Sequence, residues 1–186
     1  DGAGFGAGTI LASTYAHKSG HKADPFNDLL VPLPEDLDPI LGVFVSQMGP
    51  IAANGILHAD AEIFGGGVRR LGEGIAGRQV LVIGAGTLGL LTALFAQEAG
   101  AEVVVAEPSS YRRQRAAALG LAAMTEEDAW QHAKARWQHG AADRGADVVF
   151  QTRARSGSLH AALRALRPQG AVIDLVGGVD DIRARR

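Results

Sequence analysis

From Arg78 onward the chain alternates short apolar runs with longer stretches in which apolar residues recur every three or four positions. Gln79–Ile83 is an uninterrupted run of the kind found in strands buried on both faces. Leu90–Ala99 reads as an apolar helix that Gly100 ends. Glu102–Ala106 is a second strand, and Ser109 or Ser110 caps a helix that runs to Leu119, with Gly120 after it. Ala122–Met124 is a short third strand. Thr125-Glu126-Glu127-Asp128 resembles a capping box that opens a helix to about His139. Ala146–Gln151 is a fourth strand. Leu159, Leu163 and Leu166 share one face of the next helix, which Pro168 and Gly170 close, and Ala171–Val176 is a fifth strand. Strands alternating with helices over short connections imply right-handed crossovers and a parallel α/β sheet of about five to six strands.

The first part of the chain lacks this regularity. Residues 1–37 are rich in glycine and proline and hold two short strand-like runs, Thr9–Ser13 and Leu29–Leu33. Asp38-Pro39 is an N-cap followed by proline in the first helical turn. The helix carries Ile40, Leu41, Phe44 and Val45. Pro50 should kink it or end its first part, with helix resuming through Ile51–Ala61 and Gly65-Gly66-Gly67 as a connector. The expected organisation is an irregular segment, 1–37, and a second domain, 38–186, that includes this helix.

Composition narrows the function classes. Of 186 residues, 47% are hydrophobic and 20% charged, and the formal net charge is −2, so no field is built to attract nucleic acid. No consecutive apolar run reaches the roughly 18 residues expected of a membrane span. Asp1-Gly2-Ala3-Gly4 lacks the basic and apolar blocks of a signal peptide. Cysteine is absent, which removes disulfides, thiol nucleophiles and cysteine-containing zinc sites and is compatible with the cytoplasm.

Between the first regular strand and its helix lies Gly84-Ala85-Gly86-Thr87-Leu88-Gly89, the glycine spacing of a dinucleotide phosphate loop in its required strand–turn–helix context. Gly84 makes the tight turn, Gly86 lets a pyrophosphate approach the backbone, and Gly89 lets helix and strand pack closely. The helix N-terminus offers N–H groups to the phosphates. Glu107 ends the second strand, about 20 residues on, where an acid accepts the adenosine ribose hydroxyls. Its charge opposes a 2′-phosphate, so NAD(H) is favoured over NADP(H); Arg112 and Arg113 weaken that preference, since either could meet a phosphate. The fold class is therefore a Rossmann-type doubly wound parallel sheet preceded by a short N-terminal segment.

Arg78-Gln-Val-Leu-Val-Ile-Gly-Ala-Gly-Thr-Leu-Gly-Leu-Leu, followed by Val103-Val-Val-Ala-Glu-Pro-Ser-Ser-Tyr-Arg-Arg, resembles the cofactor domain of zinc-type alcohol dehydrogenases in the medium-chain dehydrogenase/reductase superfamily. Ala146-Asp-Val-Val-Phe-Gln-Thr and Leu163–Gly177 are similar to its later strands, and Leu30–Pro39 to its entry segment. The resemblance implies hydride transfer between a nicotinamide and an alcohol or carbonyl of a small-molecule substrate. It implies Glu107 as the ribose ligand, Arg112 as the adenosine-side basic residue, and Thr87 and Leu88 as backbone donors to the phosphates. It places Gln151 and Thr152, and Val176 and Gly177, in the two loops that pass the cofactor. Residues 1–37 then stand as the remnant of a catalytic domain of which most is missing, as in a fragment of a longer chain. Gln47 falls at the position of a zinc ligand, and a neutral amide is a poor one, so no zinc is expected.

Other residues carry weaker chemistry. His17 and His21 are four apart near Asp24, but Ser19-Gly20 and Pro25 argue for a loop, and no third ligand is in view. Together with Gln47 they are the catalytic candidates. Ser13 and Tyr15 suit a proton relay or simple contact with solvent. Trp130 and Trp137, on one helix, suit packing. Arg153 and Arg155 could reach an anion or be solvated, and Arg183, Arg185 and Arg186 read as a solvated tail. Two alternatives to a dehydrogenase stand: a repurposed scaffold for a cyclisation or isomerisation, and a non-catalytic subunit. The apolar edge of Ala171–Val176 also suits a homodimer.

Overall fold

The structure, a computed structural model, describes residues 4–15, 18–135, 144–155 and 157–176. His17, Trp137, Gly177, the last turn of the helix expected to reach His139, and the three C-terminal arginines lie outside the described residues. The chain divides into two compact units, Asp1–Pro50 and Ile51–Arg186. The division falls within the helical run rather than before it.

In the first unit, β1 (Leu11–Ser13) and β2 (Leu30–Pro32) pair antiparallel, with Ala12 opposite Val31. Asp38 caps the next turn, its carboxylate accepting from Ile40 N at 3.0 Å with Pro39 at the first helical position, as the Asp-Pro pair predicts. The turn is 3-10, and Phe44–Met48 is wound as a π-helix before α1 (Gly49–Phe64) begins. Pro50 is the second residue of α1, directly after Gly49, whose N–H donates to Phe44 O, so the winding passes from π to α at the proline.

One expectation is corrected here. Helical turns run from Pro39 to Gly67, 29 residues, a stretch long and apolar enough by length and composition to cross a membrane. Counting consecutive apolar residues missed it, because glycine, serine and asparagine interrupt the run without making it polar. Within the second unit, α1 buries Ala52, Gly55, Ile56 and Ala59, the one-sided pattern of a helix packed on a core.

The second unit is built on one parallel sheet: β3 (Gln79–Ile83), β4 (Glu102–Ala106), β5 (Ala122–Met124), β6 (Ala146–Gln151) and β7 (Leu166–Asp174), in the order β5-β4-β3-β6-β7. Between them run α2 (Thr87–Glu98), α3 (Ser110–Ala118), α4 (Glu126–Ala135) and α5 (Ser158–Ala165). The order reverses between β4 and β6, across β3, which is the doubly wound arrangement. Side chains alternate across the central strands. Val80, Val82, Val148 and Phe150 meet α1 and α2 on one face, while Leu81, Ile83 and Val149 meet α4 and α5 on the other. Full burial of each such side chain contributes about 1.5–3 kcal/mol. The small residues on the helices, Ala93 and Ala96 on α2 and Ala162 and Ala165 on α5, let the layers approach.

The last strand differs from its expected bounds. Helix α5 ends at Ala165, and Leu166 is already extended at φ −68° and ψ 149°. Pro168 disfavours helix in the residue before it, so the chain turns into strand ahead of the proline. The pairing is irregular there: Ala146 faces Leu166 and Val148 faces Ala171, with Gln169 at φ 61° in the slack. The strand ends at Asp174, short of Val176.

Two buried carboxylates brace the unit. Asp60 of α1 accepts from Gly72 N at 2.7 Å and Gly74 N at 2.8 Å, holding the turn that leads into β3. Asp147 accepts from Gln79 N at 2.8 Å and from Arg167 Nε at 2.6 Å, tying β6 to the start of β3 and to β7.

Candidate functional site

The turn between β3 and α2 lies at the carboxyl ends of the strands, at the point where the strand order reverses, which is where open α/β sheets bind ligands. Its three glycines have three different environments. Gly84 has φ 106°, a left-handed conformation that a side chain rarely adopts. A Cβ built on Gly89 would overlap Gly84 O and lie 2.7 Å from Thr152 Oγ1, so that site is closed by packing. A Cβ built on Gly86 would meet nothing within 4 Å. The open face of the turn is therefore at Gly86, which is also the residue ahead of the first turn of α2.

Gly86 gives α2 no side-chain cap. Thr87 and Leu88 stand in the first helical turn, where backbone N–H groups lack an intrahelical acceptor. An uncapped helix start beside an open glycine is a fit for a pyrophosphate, both in shape and in the sign of the helix dipole. No acid sits in this first turn to compete for those donors.

Glu107 is placed next to the turn, at the end of β4, and is 3% exposed. One carboxylate oxygen accepts from Ala85 N and the other from Ser109 N, each at 2.9 Å. The side chain thus holds the β3–α2 turn on one side and the start of α3 on the other. Arg112 Nη1 lies 3.9 Å from the same carboxylate and is more than half exposed, while Arg113 donates to the carbonyls of Glu107 and Pro108. Neither the Ala85 contact nor the Ser109 contact is a pattern that spacing reveals; Ser109 was predictable only as a helix cap, and its hydroxyl does accept from Arg112 N.

The loop after β6 closes the other flank. Gln151 is buried, and its amide accepts from Arg153 N at 2.6 Å and donates to Arg153 O at 2.9 Å. Thr152 donates through both its backbone N–H and its hydroxyl to Ile83 O. Arg153 pairs with Glu126 of α4, and Arg155 is exposed. Val176 follows β7, where its N–H donates to Asp174 Oδ1, and Leu175 N donates to Gln151 O, so the loops after β6 and β7 adjoin.

The candidates of the first unit are described by themselves. Gln47 is exposed, and with Ser13, Tyr15, Lys18 and Ser46 it lines a cavity of about 300 Å³. His21 stacks on Tyr15 with ring centroids 4.6 Å apart, and its Nε2 lies 3.4 Å from Asp28 Oδ2. Asp24 is engaged elsewhere: Asn27 Nδ2 and Phe26 N donate to its carboxylate, and these bonds hold it below the usual carboxylate range. Among the described residues no three His, Asp or Glu side chains gather as metal ligands. Trp130 packs under Arg164 and donates to its carbonyl, as a packing residue does.

Larger cavities occur elsewhere on the sheet, one of about 410 Å³ lined by Gln79, Glu102, His132 and Ala146, and one of about 630 Å³ that runs along β7 to Asp174 beside Arg78 and Asp147.

Comparison with known proteins places the chain among dehydrogenases. Residues 87–181 match the model of the zinc-binding dehydrogenase family. Over 76 residues the chain is 37% identical to a 2-dehydro-3-deoxy-L-galactonate 5-dehydrogenase of Pseudoalteromonas atlantica, a stretch that covers 41% of this chain and 22% of that protein. The alcohol dehydrogenase TADH of Thermus sp. ATN1 superposes with a TM-score of 0.61 at 26% identity, over 78% of this chain and 38% of its own. A protein of Sinorhizobium meliloti 1021 described as a zinc-binding dehydrogenase, bound to NADP, shares the fold with a TM-score of 0.59 at 24% identity, over 80% of this chain and 42% of its own. The chain thus spans less than half the length of these relatives.

Proposed function

Because the chain belongs to the zinc-binding dehydrogenase family, we propose that its second unit is the cofactor domain of an NAD(P)-dependent oxidoreductase of the alcohol dehydrogenase type. The observation that carries this reading is the uncapped start of α2 beneath the open face of Gly86, with Glu107 beside it. Backbone N–H groups of Thr87 and Leu88 would hold the pyrophosphate, with Gly84 and Gly89 shaping the turn. Glu107 would accept from the adenosine ribose through the lone pairs that Ala85 and Ser109 leave free, with Arg112 on the adenosine side. Its buried negative charge favours NAD(H) over NADP(H), and Arg112 moderates that preference.

Bound nicotinamide would supply hydride acceptance or donation at its C4, to or from an alcohol or carbonyl carbon. The loops after β6 and β7, at Gln151, Thr152, Val176 and Gly177, would flank that half of the cofactor. Residues 1–37 are read as a remnant of a catalytic domain, and His17, His21 and Gln47 as its candidates for the substrate's proton. The donor set does not fit zinc: the chain has no cysteine, and Gln47 offers a neutral amide. No step is assigned to a metal. A small-molecule substrate, a cytoplasmic location and a homodimer through the β7 edge complete the reading.

Titration calorimetry with NAD+, NADH and NADPH tests it. Saturable binding of NADH, tighter than that of NADPH, is the expected result. Absence of heat with all three dinucleotides would sink the proposal.

A further inference from the structure

Thr152 is tied to the phosphate turn more closely than to any other part of the molecule described. Its hydroxyl donates to Ile83 O at 2.8 Å, and its backbone N–H donates to the same carbonyl at 3.1 Å. Ile83 is the last residue of β3, immediately before Gly84. The same hydroxyl oxygen lies 3.0 Å from the position of a Cβ on Gly84 and 2.7 Å from one on Gly89. The first and third glycines of the turn thus make room for one side chain, and that side chain comes from the loop after β6. Gln151 keeps the loop in place, because its amide closes on both the N–H and the carbonyl of Arg153.

The geometry points to Thr152 as a positioning residue for the pyrophosphate turn rather than a contact to the nicotinamide half of the cofactor. A hydroxyl already committed to Ile83 O has its proton turned into the protein. It sets the height of the Ile83–Gly84 peptide and, through it, the aim of the N–H groups that follow. The inference rests on the cofactor-binding reading above and assigns a different role to one of its residues.

A methyl group cannot take the place of that hydroxyl without moving the turn. At 2.8 Å from Ile83 O the spacing suits an O–H···O bond and is too short for a carbon. Thr152→Val, nearly equal in volume, therefore displaces the turn and loses the bond, whereas Thr152→Ser keeps the bond and loses only a methyl.

The test is a fluorescence titration with NADH and a calorimetric titration with ADP, on the wild type and both variants. ADP carries the pyrophosphate and lacks the nicotinamide. The expected result is that Thr152→Val weakens NADH and ADP by the same factor, about three- to tenfold, the equivalent of one neutral hydrogen bond. Thr152→Ser binds both within about twofold of the wild type. Equal binding by wild type and Thr152→Val overturns the inference. So does weakening of NADH alone, which means a direct nicotinamide contact, and so does an equal loss in the serine variant, which means methyl packing. Failure of the wild type to bind either ligand overturns the cofactor reading itself. If valine prevents folding, Thr152→Ala, smaller at the same position, carries the same comparison.

Discussion

Gly86 and Gly89 stand three residues apart in one turn and have opposite physical reasons for lacking a side chain. Gly89 is closed by Gly84 O and Thr152 Oγ1, whereas Gly86 opens onto space. Gly89→Ala should therefore lower the stability of the unit by about 1–3 kcal/mol, the range for overpacking a filled site. Gly86 has φ −81°, which alanine adopts freely. Gly86→Ala should unfold in denaturant within about 0.5 kcal/mol of the wild type, yet lose NADH affinity about tenfold or more, because its methyl occupies the pyrophosphate's approach. Equal stability loss in both variants, or unchanged NADH binding in Gly86→Ala, would contradict the assignment. The glycine spacing identifies the turn and separates the open Gly86 from the packed Gly89, but it cannot say that part of what closes Gly89 is Thr152, brought in from another strand. Glu107 is similar. Its place at a strand end is legible, but its bond to Ala85 N joins residues 22 apart and belongs to the tertiary structure.

At the scale of elements, most of what the periodicity predicts is present, because apolar spacing and caps are local. Asp38 and Ser109 cap the turns they precede. Thr125 Oγ1 accepts from Asp128 N as a capping box requires. The start of β7 was not legible, since Leu166 continues the spacing of Leu159 and Leu163 while its backbone has already left the helix. The role of Asp60 is not legible for a different reason. It is a single acid on an apolar helix, which reads as solvated until its partners, Gly72 N and Gly74 N, are seen to fold back over it. Asp60→Ala should cost about 1–3 kcal/mol for each of these two buried N–H groups left without an acceptor. Urea denaturation measures it, and a change under about 0.5 kcal/mol would mean that water satisfies the turn instead.

For the molecule as a whole, the doubly wound sheet and the family were both legible, because strand–helix alternation and the phosphate turn belong to the same stretch of chain. In the first unit the two strand-like runs were legible and contain β1 and β2, but their antiparallel pairing was not, since nothing local fixes the partner of so short a strand. The central proposal is that a nicotinamide dinucleotide binds at the carboxyl ends of β3, β4 and β6. The most direct measurement is the amide NMR spectrum of the ¹⁵N-labelled protein during addition of NADH. The amides of Gly86, Thr87 and Leu88 should shift most, followed by those of Glu107 and Ser109 at the end of β4. Saturating shifts that fall instead around Arg78 and Arg167 or around Glu102 and His132, at the opposite ends of the strands, would contradict the account.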